Sequence, residues 1–139
     1  MLLAIPQSRP SSAQMYWQRA FPGRPDQARQ ARSFLRALLP AHPSLDDMLL
    51  VVDELAANAV QHTRSGEDGG VFEVGVLVEA ERVVVSVTDQ GGPKVPADGA
   101  SDELAESGRG LILVAALADR CRWSGTDRSR TVTAAFPAS

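Results

Sequence analysis

Residues 71–89 read VFEVGVLVEAERVVVSVTD, two runs carrying apolar residues at every second position around a short break at Ala80–Glu81. Period two places Phe72, Val74, Val76 and Val78 on one face of a strand over about 71–79, and Val83, Val85 and Val87 on one face of a partner over about 82–88. So short a break predicts an antiparallel hairpin. A lone hairpin with an apolar face is barely stable in water, so the rest of the chain has to supply more strands and a covering layer.

Helices of the right kind are present. Pro25–Asp26 predicts a helix start, and Ala28, Ala31, Phe34, Leu35 and Leu38 form one apolar stripe to about Leu39, with Arg29, Arg32 and Arg36 outside it. Pro40 and Pro43 interrupt this pattern. Ser44 is the expected N-cap of a second helix, with Asp46 and Asp47 in its first turn and an end near His62. Its residues Leu45, Met48, Leu49, Val52, Leu55, Ala56 and Ala59 span a wide face, which predicts deep packing.

A short edge strand ending at Phe21–Pro22–Gly23, a loop at 63–70, a long loop at 89–107, a short apolar helix from Gly110 to about Asp119 and a last strand near 131–136 complete the expectation. This order predicts an α+β fold, a two-layer sandwich whose mixed, mostly antiparallel sheet is covered on one face by helices. Residues 1–13 read as a flexible tail without function, and 14–139 as a single domain.

Composition narrows the function. A chain of 139 residues, 44% hydrophobic and 22% charged, has the make-up of one soluble globular domain. A net charge of -3 with a pI near 5.3 offers no general attraction to nucleic acid or to anionic membranes. The longest apolar stretch, 110–118, is half the length of a spanning helix, and Met1–Ile5 lacks the basic leader and long apolar core of a signal peptide. With Cys121 as the sole cysteine, an intrachain disulfide and a cysteine metal cluster are both excluded. The Walker phosphate loop, the H-E-x-x-H zinc helix and the G-x-S-x-G elbow are absent.

Three features remain. Glu54 and Asn58 stack on one face of the second helix, with His62 a turn further; a carboxylate and an amide oxygen facing one cavity suit a hydrated divalent cation, although an ordinary half-exposed face has the same pattern. Asp89 belongs to the inward face of its strand and is followed by Gly91 and Gly92, which suits an amine donor and a flat ring against backbone, or simply an Asp-Gly turn. Ser107–Gly108–Arg109–Gly110 precedes the third helix, as an anion site at a helix start or as a hinge.

Taken in this order, the E-x-x-x-N helix, the strand ending in D-x-G and the loop closing with G-x-G before a helix resemble the GHKL (Bergerat) ATP-binding fold of histidine kinases and anti-sigma kinases, over about residues 20–137. LLVVDELAANAVQHT and ESGRGLILVAALADR look most like the small anti-sigma factor serine/threonine kinases, especially the actinobacterial ones. The resemblance implies Glu54 as general base, Asn58 as the ligand of Mg²⁺ bridging the ATP phosphates, Asp89 on the adenine amine and Gly91 beside the ring. It further implies Gly108, Arg109, Gly110 and Leu111 on the phosphate side and 93–107 as a lid.

It also implies a cytoplasmic homodimer, an anti-anti-sigma (STAS-domain) protein as phosphoacceptor and a sigma factor held by direct binding. Two departures stand out: the glycine box reads Asp89–Gln90–Gly91–Gly92–Pro93 rather than D-x-G-x-G, and Ser129–Arg130 precede Thr131 where many members have glycine then threonine. A catalytically silent, nucleotide-gated binding switch and a purely structural interaction domain are the alternative readings.

Overall fold

The computed structural model describes residues 2–4, 14–92 and 111–139. Its strands are β1 (Leu2–Ala4), β2 (Met15–Pro22), β3 (Val71–Val78), β4 (Arg82–Asp89), β5 (Arg120–Gly125) and β6 (Arg130–Pro137). Helix α1 is Gln27–Leu38 and α2 is Leu45–His62, and a third helix, α3, covers 111–117 of the described residues. The six strands form one sheet in the order β1-β2-β3-β4-β6-β5. Every pairing is antiparallel, so the parallel component expected of a mixed sheet is absent among the described strands.

Strand parity decides which face is covered. Phe21 pairs with Phe72, Val74 with Val87, Val76 with Val85, Val85 with Ala134 and Val83 with Phe136, and all of these side chains are buried. They meet Ala31 and Leu35 of α1, Met48, Val51, Val52, Leu55, Ala56 and Ala59 of α2, and Val114 of α3 in a single core. Phe21 stacks on Phe72 at 5.5 Å between ring centres and meets Phe34 of α1 edge-on at 6.1 Å, which locks helix and sheet together. The sandwich and its helix-covered face are as expected.

Several local expectations change. Residues 2–4 pair with Met15–Trp17 as β1, although 1–13 read as a tail. β2 is therefore eight residues long and flanked on both sides over Met15–Trp17, not a short edge strand. β5 carries too brief a signal to be expected from sequence: its inward residues Cys121 and Trp123 give only two periods of alternation between arginines. Ser44 stands at the N-cap of α2 but makes no side-chain cap bond; its backbone N–H donates to Nδ1 of His42 at 2.9 Å, while Nε2 of His42 bonds the Pro137 carbonyl.

Candidate functional site

Glu54 and Asn58 lie one turn apart on α2, each half-buried, at the margin of the stripe formed by Val51, Val52, Leu55 and Ala59. Among the described residues neither side chain has a hydrogen-bond partner. His62, a turn further, is half-buried and engaged in a contact of its own. Half-buried oxygens without partners are suited to a ligand that satisfies them. Among the described residues no group of three or more His, Cys, Asp or Glu could hold a metal. A cation here would rest on one or two protein oxygens, waters and phosphate oxygens, which is how Mg²⁺ is usually held, so the donor set fits that ion.

Asp89 closes β4 and faces inward, as period two requires. One carboxylate oxygen accepts the Gly91 N–H at 2.7 Å, and the other has no partner among the described residues. Burial pushes the Asp89 carboxyl above its ordinary value, partly opposed by the Gly91 N–H and by the Arg130 charge. Gly91 sits at φ +72, and a side-chain carbon there would lie 2.3 Å from the Asp127 carbonyl oxygen. Glycine is thus required by the turn and by the close approach of the β5–β6 connection, whatever ring it borders.

The turn is tied to the end of α2. Thr63 Oγ donates to the Ala59 carbonyl at 2.6 Å and accepts the Ser65 N–H at 3.0 Å, which starts a 3-10 turn at Arg64–Gly66. Ser65, fully buried, accepts the Gln90 N–H at 2.9 Å, and the Arg64 N–H donates to the Gly91 carbonyl at 2.8 Å. The Gln90 side chain in turn accepts the Val71 N–H at 2.8 Å. These bonds bring the helix of Glu54 and Asn58 and the strand of Asp89 into one corner of the molecule. Sequence reasoning overlooked Arg64, Ser65 and Gln90; the Thr63-x-Ser65 pattern after a helix was the available signal.

Arg130 starts β6 directly opposite Asp89. Beside this pair, but on the outer face, the hydroxyls of Thr88 and Thr131 bond at 2.8 Å. Leu111 is half-buried against the core, whereas Gly108, Arg109, Gly110 and the expected lid lie outside the described residues. A separate cleft of about 100 Å³ between α1 and α2, lined by Arg24, Ala28, Ala56, Val60 and neighbours, includes none of the expected residues and is too small for a nucleotide.

Residues 21–136 match the family described as the histidine kinase-like ATPase domain. The chain belongs to that family.

Relatives include the serine-protein kinase RsbW of Bacillus pumilus (strain SAFR-032), 36% identical over 56% of this chain and 56% of that one. The RsbW of Bacillus subtilis (strain 168) is 30% identical over 58% of each chain. The chain thus spans a little over half the length of these relatives. Among solved structures, the RsbU and RsbW domains of a Mycobacterium tuberculosis protein superpose with a TM-score of 0.65 at 20% identity, over 87% of this chain and 32% of that one. A SiaB–SiaC complex from Pseudomonas aeruginosa superposes at 0.60 and 16% identity, over 86% and 88%. At these identities the structural matches establish the ATPase-family fold. Among the described residues no helix is long and apolar enough to cross a membrane.

Proposed function

We propose that this histidine kinase-like ATPase domain is an ATP-dependent protein serine/threonine kinase of the anti-sigma type, working in the cytoplasm on an anti-anti-sigma (STAS-domain) partner and holding a sigma factor by direct binding. The observation that carries the reading is the Glu54–Asn58 pair, unpartnered among the described residues, on a helix whose following 3-10 turn is bonded to the Asp89 turn. The family match and the RsbW relatives support it. The complex in which SiaB was solved agrees with a partner protein, and a homodimer is part of the same reading.

In this reading Asp89 accepts a hydrogen bond from the exocyclic amine of the base through its free carboxylate oxygen. The Asn58 amide oxygen would help hold Mg²⁺, with Gly108, Arg109, Gly110 and Leu111 on the phosphate side. When bound, the ion supplies neutralisation of phosphate charge, the main requirement of phosphoryl transfer. Glu54 accepts the proton of the acceptor hydroxyl and so needs only to be ionised and correctly placed.

The test is incubation of the whole chain with Mg²⁺, labelled ATP and candidate STAS-domain proteins, alongside Glu54→Gln. Label on a serine or threonine of one partner, absent with the variant, is the expected result. Partner capture that needs nucleotide but is the same in Glu54→Gln, with no label transferred, replaces the kinase by a nucleotide-gated switch.

A further inference from the structure

Ser65 and Arg130 are the buried polar residues among those described, and Ser65 is satisfied by its bonds within the 63–90 corner. Arg130 is not satisfied. It is 6% exposed, and one terminal nitrogen, Nη2, donates to the Gly92 carbonyl at 2.8 Å, while Nε is buried with no acceptor among the described residues. A buried guanidinium N–H without a partner forfeits its hydration and gains nothing in return, so a native protein that keeps one calls for an explanation. Tethering Gly92 accounts for a single N–H. It leaves Nε unexplained.

Its position suggests what Nε is for. Arg130 and Asp89 are direct partners in the β4–β6 ladder, so both side chains leave the sheet on the helix-facing side, as neighbours. Asp89 offers an acceptor, the carboxylate oxygen that the Gly91 bond does not use and that has no partner among the described residues. Arg130 offers a donor, an N–H left free by the Gly92 bond. An acceptor beside a donor is complementary to a heterocycle edge that carries an amine next to an unprotonated ring nitrogen. The six-membered ring of adenine has that edge.

We infer that Asp89 and Arg130 together read the base, Asp89 accepting from the exocyclic amine and Arg130 Nε–H donating to the adjacent ring nitrogen. This deepens the nucleotide-site reading above and rests on it, adding Arg130 as a specificity-determining residue. Hypoxanthine, which presents a carbonyl and a ring N–H in the same places, meets donor with donor and acceptor with acceptor. The positive charge of Arg130 has a second effect, because it favours the ionised Asp89 against its burial.

The experiment is calorimetric titration of the whole chain with three nucleotides in the presence of Mg²⁺: ATP, 1-deaza-ATP, which keeps the amine and replaces the ring nitrogen by carbon, and ITP. A hydrogen bond to a charged donor predicts that the unaltered protein binds ATP about tenfold or more tighter than 1-deaza-ATP. Arg130→Met is expected to lower ATP affinity by a similar factor and to bind ATP and 1-deaza-ATP alike, so that the two losses do not add. A merely structural arginine would weaken both nucleotides equally. Equal affinity of the unaltered protein for ATP and 1-deaza-ATP overturns the assignment of Arg130 while leaving a nucleotide site in place. Failure to bind ATP at all removes the site and the assignment together. If Arg130→Met does not fold by circular dichroism, the comparison of the two nucleotides on the unaltered protein decides alone.

Discussion

Ser65 Oγ accepts the backbone N–H of Gln90 at 2.9 Å, and through this bond the end of the central helix holds the end of the central strand. Ser65 is fully buried and Gln90 is exposed, so the bond closes the edge of the core. Removing the hydroxyl by Ser65→Ala deprives the Gln90 N–H of this partner, and the expected loss is about 0.5–1.5 kcal/mol of folding stability. Chemical denaturation measures it. Because the same bond positions the Asp89 turn, ATP affinity by calorimetry is expected to fall with it.

Glu54 and Asn58 share a helix face, and the proposed function gives them different tasks, so their variants should separate. Glu54→Gln is expected to lower phosphoryl transfer by about 10²–10⁴-fold, the usual range for a general base, while nucleotide affinity stays near that of the unaltered protein. Asn58→Ala is expected to weaken binding of Mg²⁺-ATP itself. Single-turnover transfer and titration with the nucleotide distinguish the two effects, and a Glu54→Gln protein with undiminished transfer would remove the base role.

Asp89 predicts a pH dependence whose sign follows from burial. Its carboxyl lies above the ordinary value of 3.8, so between that value and its folded value the native state holds more proton than the unfolded chain. Stability contributed by this group therefore falls as pH rises through that window. Asp89→Asn removes the titration and keeps an oxygen for the Gly91 N–H. The variant is expected to lose less stability over the same rise in pH, as followed by thermal melts, and to bind ATP more weakly. Nucleotide affinity of the unaltered protein should instead improve as Asp89 ionises.

Phe72 is completely buried and stacked on Phe21, which itself meets Phe34 of α1. Phe72→Ala opens a cavity where β2, β3 and α1 meet. A loss of about 3–5 kcal/mol is expected, a large fraction of the stability of a domain this size, and guanidinium unfolding curves would show it as a lower midpoint.

Some of the molecule could be read from residue order alone. The valines of 72–87 specify a face by parity, and the broad apolar side of 45–62 specifies what lies on it, because both periods are set by local backbone geometry. Glu54, Asn58 and Asp89 were legible for the same reason, each being a polar residue on a face that period marks as inward or marginal. β1 and β5 were not legible, since a three-residue strand and two periods of alternation carry almost no local signal and exist because a neighbouring strand offers its open edge.

Long-range contact settled the rest. Nothing within a few residues of Ser65 shows that its hydroxyl meets Gln90, twenty-five positions away, and nothing near Arg130 shows that it stands across from Asp89 with one N–H left over. Periodicity assigns a side chain to a face but does not identify its neighbours there. Those are set by register between strands distant in the chain, and it is register that places a buried cation beside the one acid that ends β4.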